Sequence, residues 1–119
     1  MKYMLLIYGV ERDLDQIQRE DCYAESIQLA HELNKNGQFI ASAPLHDTAM
    51  ATSVRVRDGK RLITDGPFAE TREQLGGYYL INADDLDQAI SVAERIPAAR
   101  HGTVEVRPVI EIDGIPNPA

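Results

Sequence analysis

Lys2-Tyr3-Met4-Leu5-Leu6-Ile7-Tyr8 opens the chain with a run that is apolar from its second residue onward. A strand with one wet face alternates apolar and polar residues, whereas an unbroken run of this length marks a strand covered on both faces. Tyr78-Tyr79-Leu80-Ile81 is a second stretch of the same kind, rich in β-formers. Two such strands belong in the middle of one sheet. The rest of the chain must then supply the edges, the helices and the connections.

From Leu14 to about Asn36 the spacing predicts a long helix. Asp13 is placed to cap it with Gln16 three residues on, Tyr23, Ile27, Ala30 and Leu33 share one face, and Asn36-Gly37 stops it. Gln38 to Ala43 is a short extended piece ended by Pro44, and Thr52 to Arg57 alternates. Asp58-Gly59 is a hairpin turn, after which Lys60 to Thr64 returns. A two-residue turn sets Val54 opposite Ile63 and Arg55 opposite Leu62; a turn one residue longer or shorter changes both pairs. Asp84 is placed to cap a second helix, on which Leu86, Ala89, Ile90, Ala93 and Ile96 share a face up to Pro97. Val104 and Val106 alternate with Glu105 and Arg107 in the last strand, where Pro108 suits an edge.

The order is therefore strand, helix, hairpin, loop, strand, helix, strand. Both helices can pack on one face of an antiparallel sheet, an α+β, ferredoxin-like split βαβ sandwich. Residues 1–112 make a single domain, and 113–119, with two prolines and a glycine, a loose tail. Two helices cover only one face, yet the central strands are apolar on both. A second copy of the sheet, face to face about a two-fold axis, is the simplest cover, so a homodimer is expected.

Composition narrows the function. The 119 residues carry a net charge of −7, which argues against nucleic acid and against an anionic membrane surface as partners. No apolar run reaches the length of a membrane span, and the first strand is too short for a signal-peptide core, so a cytoplasmic location is expected. The single Cys22 excludes an intrachain disulfide. Three scattered histidines give no ligand spacing and no nucleotide-binding fingerprint is present, so neither metal nor cofactor is expected. His31 reads as a packed or solvent-edge side chain, and the adjacent pair His46-Asp47 as part of a surface loop.

Thr64 to Tyr79 holds the densest chemistry, with acids, a base, a proline and glycines in one connection. Asp65 precedes Gly66-Pro67, and its carboxylate can accept loop N–H groups or act as an acid or base whose pKa burial raises. Glu70 and Glu73 share a side if the segment makes one helical turn, with Arg72 beside them as either a surface ion-pair cluster or a binding group. Gly76-Gly77 lets the chain re-enter the sheet. The candidate proton-transfer groups are Asp65 and Glu73. The candidate binding groups are Arg55, Phe68, Glu70, Arg72, Tyr78 and Arg107, although Arg55 and Arg107 can equally pair with Glu105 or a loop acid. On this reading a small molecule occupies a cleft at the loop.

Asp65-Gly66-Pro67-Phe68-Ala69-Glu70-Thr71-Arg72-Glu73-Gln74-Leu75-Gly76-Gly77 resembles the signature of the DGPF branch of the YCII-related proteins, and Val104 to Pro108 is similar to that family's closing strand. The resemblance spans nearly the whole chain. It implies a ferredoxin-like protomer and a dimer of the dimeric α/β-barrel type, in a family whose members are mostly uncharacterised bacterial proteins. Some related genes lie beside or are fused to extracytoplasmic-function sigma factors, which makes a non-catalytic regulatory module with a sigma-factor partner the alternative. A few relatives act on chlorinated aromatic intermediates. The shorter YCII branch carries a first-helix histidine with an aspartate partner. The matching position here falls near Ser26, and His31 lies more than a turn away.

Overall fold

A computed structural model describes residues 1–11 and 14–116. Strand β1 (Lys2–Gly9) is followed by helix α1 (Gln16–Lys35), strand β2 (Phe39–Pro44), a 3₁₀ turn (Thr48–Met50), and the hairpin strands β3 (Thr52–Arg57) and β4 (Lys60–Asp65). Strand β5 (Gln74–Asn82), helix α2 (Leu86–Ala93), a second 3₁₀ turn (Pro97–Arg100) and strand β6 (Thr103–Pro108) complete the order. The main sheet is antiparallel with strand order β2-β5-β1-β6, and β3-β4 form a separate two-stranded sheet. The two apolar runs are thus the two central strands, and both helices pack on the same face of this mixed α+β fold. Pro108, which has no N–H to donate, ends an edge strand.

Register follows side-chain parity. Leu5 stands opposite both Tyr79 and Val106, and Tyr3 opposite Ile81. These residues meet Leu29 and Leu33 of α1 and Ala89, Val92 and Ala93 of α2 in one buried core. The alternate residues Met4, Leu6 and Leu80 lie on the other face, which no helix covers, and remain half-buried.

Several local expectations shift. Asp13 lies outside the described residues; α1 is capped by Asp15 in a capping box with Gln18. The cap of α2 is Asp85, which accepts from the Gln88 N–H at 2.8 Å, one residue after the expected Asp84. The buried residues of α1 are Leu29 and Leu33, while Tyr23 and Ile27 are 45% and 59% exposed because they border a cavity instead of the core. On α2, Leu86 and Ile90 are exposed and Val92 takes the inward position. Pro97 opens a 3₁₀ turn after the helix has already ended. Strand β5 starts at Gln74, so Gly76-Gly77 is strand and not loop. The register skips Gly76 between Ile7–Gly77 and Tyr8–Leu75, a bulge in β5. The hairpin has its two-residue turn, with Asp58 and Gly59 both at positive φ and Val54 opposite Ile63. Among the described residues no helix is long and apolar enough to cross a membrane.

Candidate functional site

A cavity of about 520 Å³ opens between the first half of α1, the end of β1, the connection after β2, the start of β5 and the segment leading into β6. Its walls contain all three histidines of the chain, His31, His46 and His101, which lie far apart in sequence. Arg19, Glu11 and Asp47 supply charge, and tyrosines 8, 23, 78 and 79 supply aromatic or phenolic surface. Ser26 also borders this cavity.

Four contacts fix the walls. Glu11 accepts from the Thr48 N–H at 2.8 Å and from the Thr48 hydroxyl at 2.9 Å, tying the β1–α1 connection to the turn beyond His46. The Leu45 N–H donates to the Gly76 carbonyl at 2.9 Å, carrying the β2–β5 ladder past Pro44. Arg100 grips Glu25 of α1 through two hydrogen bonds of 3.0 and 3.2 Å, beside His101. Gly102 lies so close to β1 that a Cβ there would stand 2.1 Å from the Tyr8 carbonyl oxygen.

Tyr79 secures α1 to the sheet from below. Its hydroxyl donates to the Ser26 carbonyl at 2.6 Å while its ring is buried. Burial pushes the phenol above its ordinary value, against a smaller opposing effect of the Ser26 side chain. A raised folded pKa means that the folded chain keeps a proton which the unfolded chain releases. The contribution is therefore intact below about pH 10 and is lost as pH climbs from there through the folded value. Tyr79→Phe is expected to lose about 1 kcal/mol at neutral pH, the net worth of one hydrogen bond. The deficit should shrink in urea titrations above pH 10; a deficit that does not change with pH would refute this role.

The residues singled out from sequence fall in different places. Tyr78 borders the cavity. Asp65 ends β4 fully exposed, with no hydrogen bond to its carboxylate among the described residues. Its loop is held instead by the Gly66 N–H on the Ala51 carbonyl and the Ser53 hydroxyl on the Gly66 carbonyl, both at 2.8 Å. The burial expected for Asp65 is therefore missing. Phe68 is 78% exposed, with the Arg55 guanidinium 5.1 Å from its ring centre, so Arg55 pairs with an aromatic face and not with an acid. Residues 70–73 form no helical turn, and Glu70 and Arg72 are exposed. Glu73 is half-buried and accepts from the Thr103 hydroxyl at 3.0 Å, which sets it beside the cavity-lining Gln74 and Gly102. Arg107 lies 3.8 Å from Glu105 on the uncovered side of the sheet. Sequence reasoning passed over His101 and Arg19; His31, read as packed or solvent-edge, is exposed as that reading allows and also borders the cavity. The available signals were the His46-Asp47 adjacency and the small number of histidines. Among the described residues no three His, Cys, Asp or Glu side chains converge as metal ligands.

The profile of the YCII-related domain matches residues 1–113. An uncharacterized protein of Rhizobium meliloti is 38% identical over 102 residues, covering 84% of this chain and 73% of that one. Among solved structures, 5-chloro-2-hydroxyhydroquinone dehydrochlorinase of Burkholderia phenoliruptrix, in complex with 2,5-dihydroxybenzoquinone, superposes with a TM-score of 0.55 at 15% identity. That match covers 92% of this chain and 94% of the enzyme, and it shows a shared fold.

Proposed function

This chain belongs to the YCII-related domain family, and from that premise we propose that it binds a small, flat, polar or aromatic molecule in the histidine-lined cavity and moves a proton on it. The observation that carries the reading is that His31, His46 and His101, each with an exposed side chain, all border one half-open hollow of about 520 Å³. That volume suits a small organic ligand, and mostly apolar walls with a few polar groups are the usual make-up of such a site. Histidine is the side chain whose ordinary titration range best suits proton transfer near neutrality. Arg19 is the group best placed to bind an anionic or phenolate oxygen. Glu73, next in sequence to the cavity-lining Gln74 and bonded to the Thr103 hydroxyl, is the loop carboxylate to which an assisting role is assigned. The bound quinone of the structural neighbour supports hydroxylated aromatics as the ligand class to try first. The Asp65–Gly77 stretch supports the DGPF branch within the family. The half-buried Met4, Leu6 and Leu80 support a homodimer closed through the uncovered side of the sheet.

Binding of 2,5-dihydroxybenzoquinone, catechol and benzoate, followed by calorimetry, tests this reading. At least one is expected to bind saturably. His31→Ala, His46→Ala and His101→Ala should each weaken it by about tenfold, the loss expected for one hydrogen bond to a charged group. Asp65→Asn should leave it unchanged. Binding that survives all three histidine changes and is lost in Asp65→Asn would return the site to the charged loop. Capture of a sigma factor with no saturable ligand would favour a regulatory module.

A further inference from the structure

We propose that the β3–β4 hairpin is an intersubunit clasp, an arm whose Val54–Val56–Ile63 face packs against a second copy of this chain. The inference rests on the homodimer reading above and goes beyond it, because face-to-face sheets alone assign the hairpin no role.

Three observations carry it. First, the arm is apolar where it has no cover. Every residue of β3 and β4 except Ser53 is exposed, and neither strand packs extensively on any element but the other. Parity and the Val54–Ile63 register put Val54, Val56 and Ile63 on one face, each more than half exposed at 61%, 61% and 53%. A two-stranded hairpin is marginal in water without a surface to lie on, so a defined arm with a bare apolar face calls for a partner.

Second, the surface area is too large for a lone protomer. The chain exposes 8772 Å², whereas a 13.3 kDa monomer is expected to expose about 6,450 Å², an excess of roughly 2,300 Å². An obligate dimer buries about 1,000–2,500 Å² from each partner, which is the size of the excess. The radius of gyration, 16.0 Å, likewise exceeds the roughly 13.5 Å expected for this length.

Third, the arm's charge is opposite to that of the rest of the chain. Thr52 to Asp65 holds four of the twelve basic residues, Arg55, Arg57, Lys60 and Arg61, and two of the nineteen acids, Asp58 and Asp65. The arm is thus +2 and the remainder of the chain −9. An acidic second copy is attracted to the arm even though two whole copies, at −7 each, repel one another.

Sedimentation equilibrium of the full chain and of two variants decides the matter. The unmodified chain is expected to have twice the 13.3 kDa chain mass. The double substitution Val54→Asp, Ile63→Asp should weaken association by at least about a hundredfold. Its far-ultraviolet circular dichroism should not change, because the arm supports no part of its own protomer's core. Replacing residues 54–63 by a short Gly-Ser linker gives the same test without new charges. A monomeric unmodified chain would overturn both the dimer and the clasp. If Leu6→Asp on the sheet face dissociates the dimer while both arm variants keep their full affinity, the sheet interface stands and the clasp falls.

Discussion

Gly102→Ala is expected to destabilise the fold by about 3 kcal/mol, the upper end of what overpacking costs, and to open the cavity. The added Cβ would lie 2.1 Å from the Tyr8 carbonyl oxygen and 3.0 Å from the Gly9 Cα. Both are backbone atoms of β1, so no side-chain rotation relieves the clash. What can yield is the Tyr8–Thr103 pair, where β6 joins β1. Separating it draws His101 and Gly102 away from Tyr8 and Gly9, which together form one wall of the cavity. The melting temperature should fall by about 10 °C, and ligand affinity should fall with it. Gly76→Ala is the control: a Cβ there meets nothing within 4 Å, and the melting point should stay within about 2 °C. Equal effects at the two glycines would show that close approach at Gly102 is not what holds β6 against β1.

Leu5→Ala is the second large effect. Leu5 is fully buried in a central strand, opposite Tyr79 on one side and Val106 on the other, and beneath the helices. Truncation leaves a void in the layer that joins sheet to helices, and losses for such changes run from about 2 to 5 kcal/mol. A domain of this size has about 5–15 kcal/mol in all, so chemical denaturation should show the midpoint lowered with an unchanged slope. Leu6→Ala in the same strand should lose clearly less within one protomer, since Leu6 faces the uncovered side. A larger loss at Leu6 than at Leu5, measured at a dilution where the dimer has dissociated, would mean that the faces of β1 are assigned the wrong way round.

The large elements were legible because the patterns that specify them are long and redundant. The runs at Tyr3–Tyr8 and Tyr78–Ile81 are too apolar for edge strands and take the two central places, and Asp58-Gly59 tolerates the positive φ that a two-residue turn needs. Caps were less legible. Asp84 and Asp85 are adjacent and either carboxylate can cap, so the choice falls to how α2 must rotate to bury Val92. The stripe on α1 was misjudged for a related reason. Tyr23 and Ile27 have the right spacing for a core, but the helix reaches the core only at its second half. Of the cavity only Tyr78 was picked from sequence, since Tyr8, His31, His46 and His101 come from separate segments and share no spacing. The charge of the Asp65–Glu73 loop attracted attention, yet charge density is also what a solvated connection shows, and most of that loop is solvated.

Ligand is expected in the histidine-lined cavity and not at the charged loop. An amide-resolved nuclear magnetic resonance titration with 2,5-dihydroxybenzoquinone locates binding residue by residue. Saturable shifts are expected at Tyr8, His31, His46 and His101, with Asp65 to Arg72 unmoved. Shifts confined to Asp65–Glu73, with the three histidines silent, would contradict this placement.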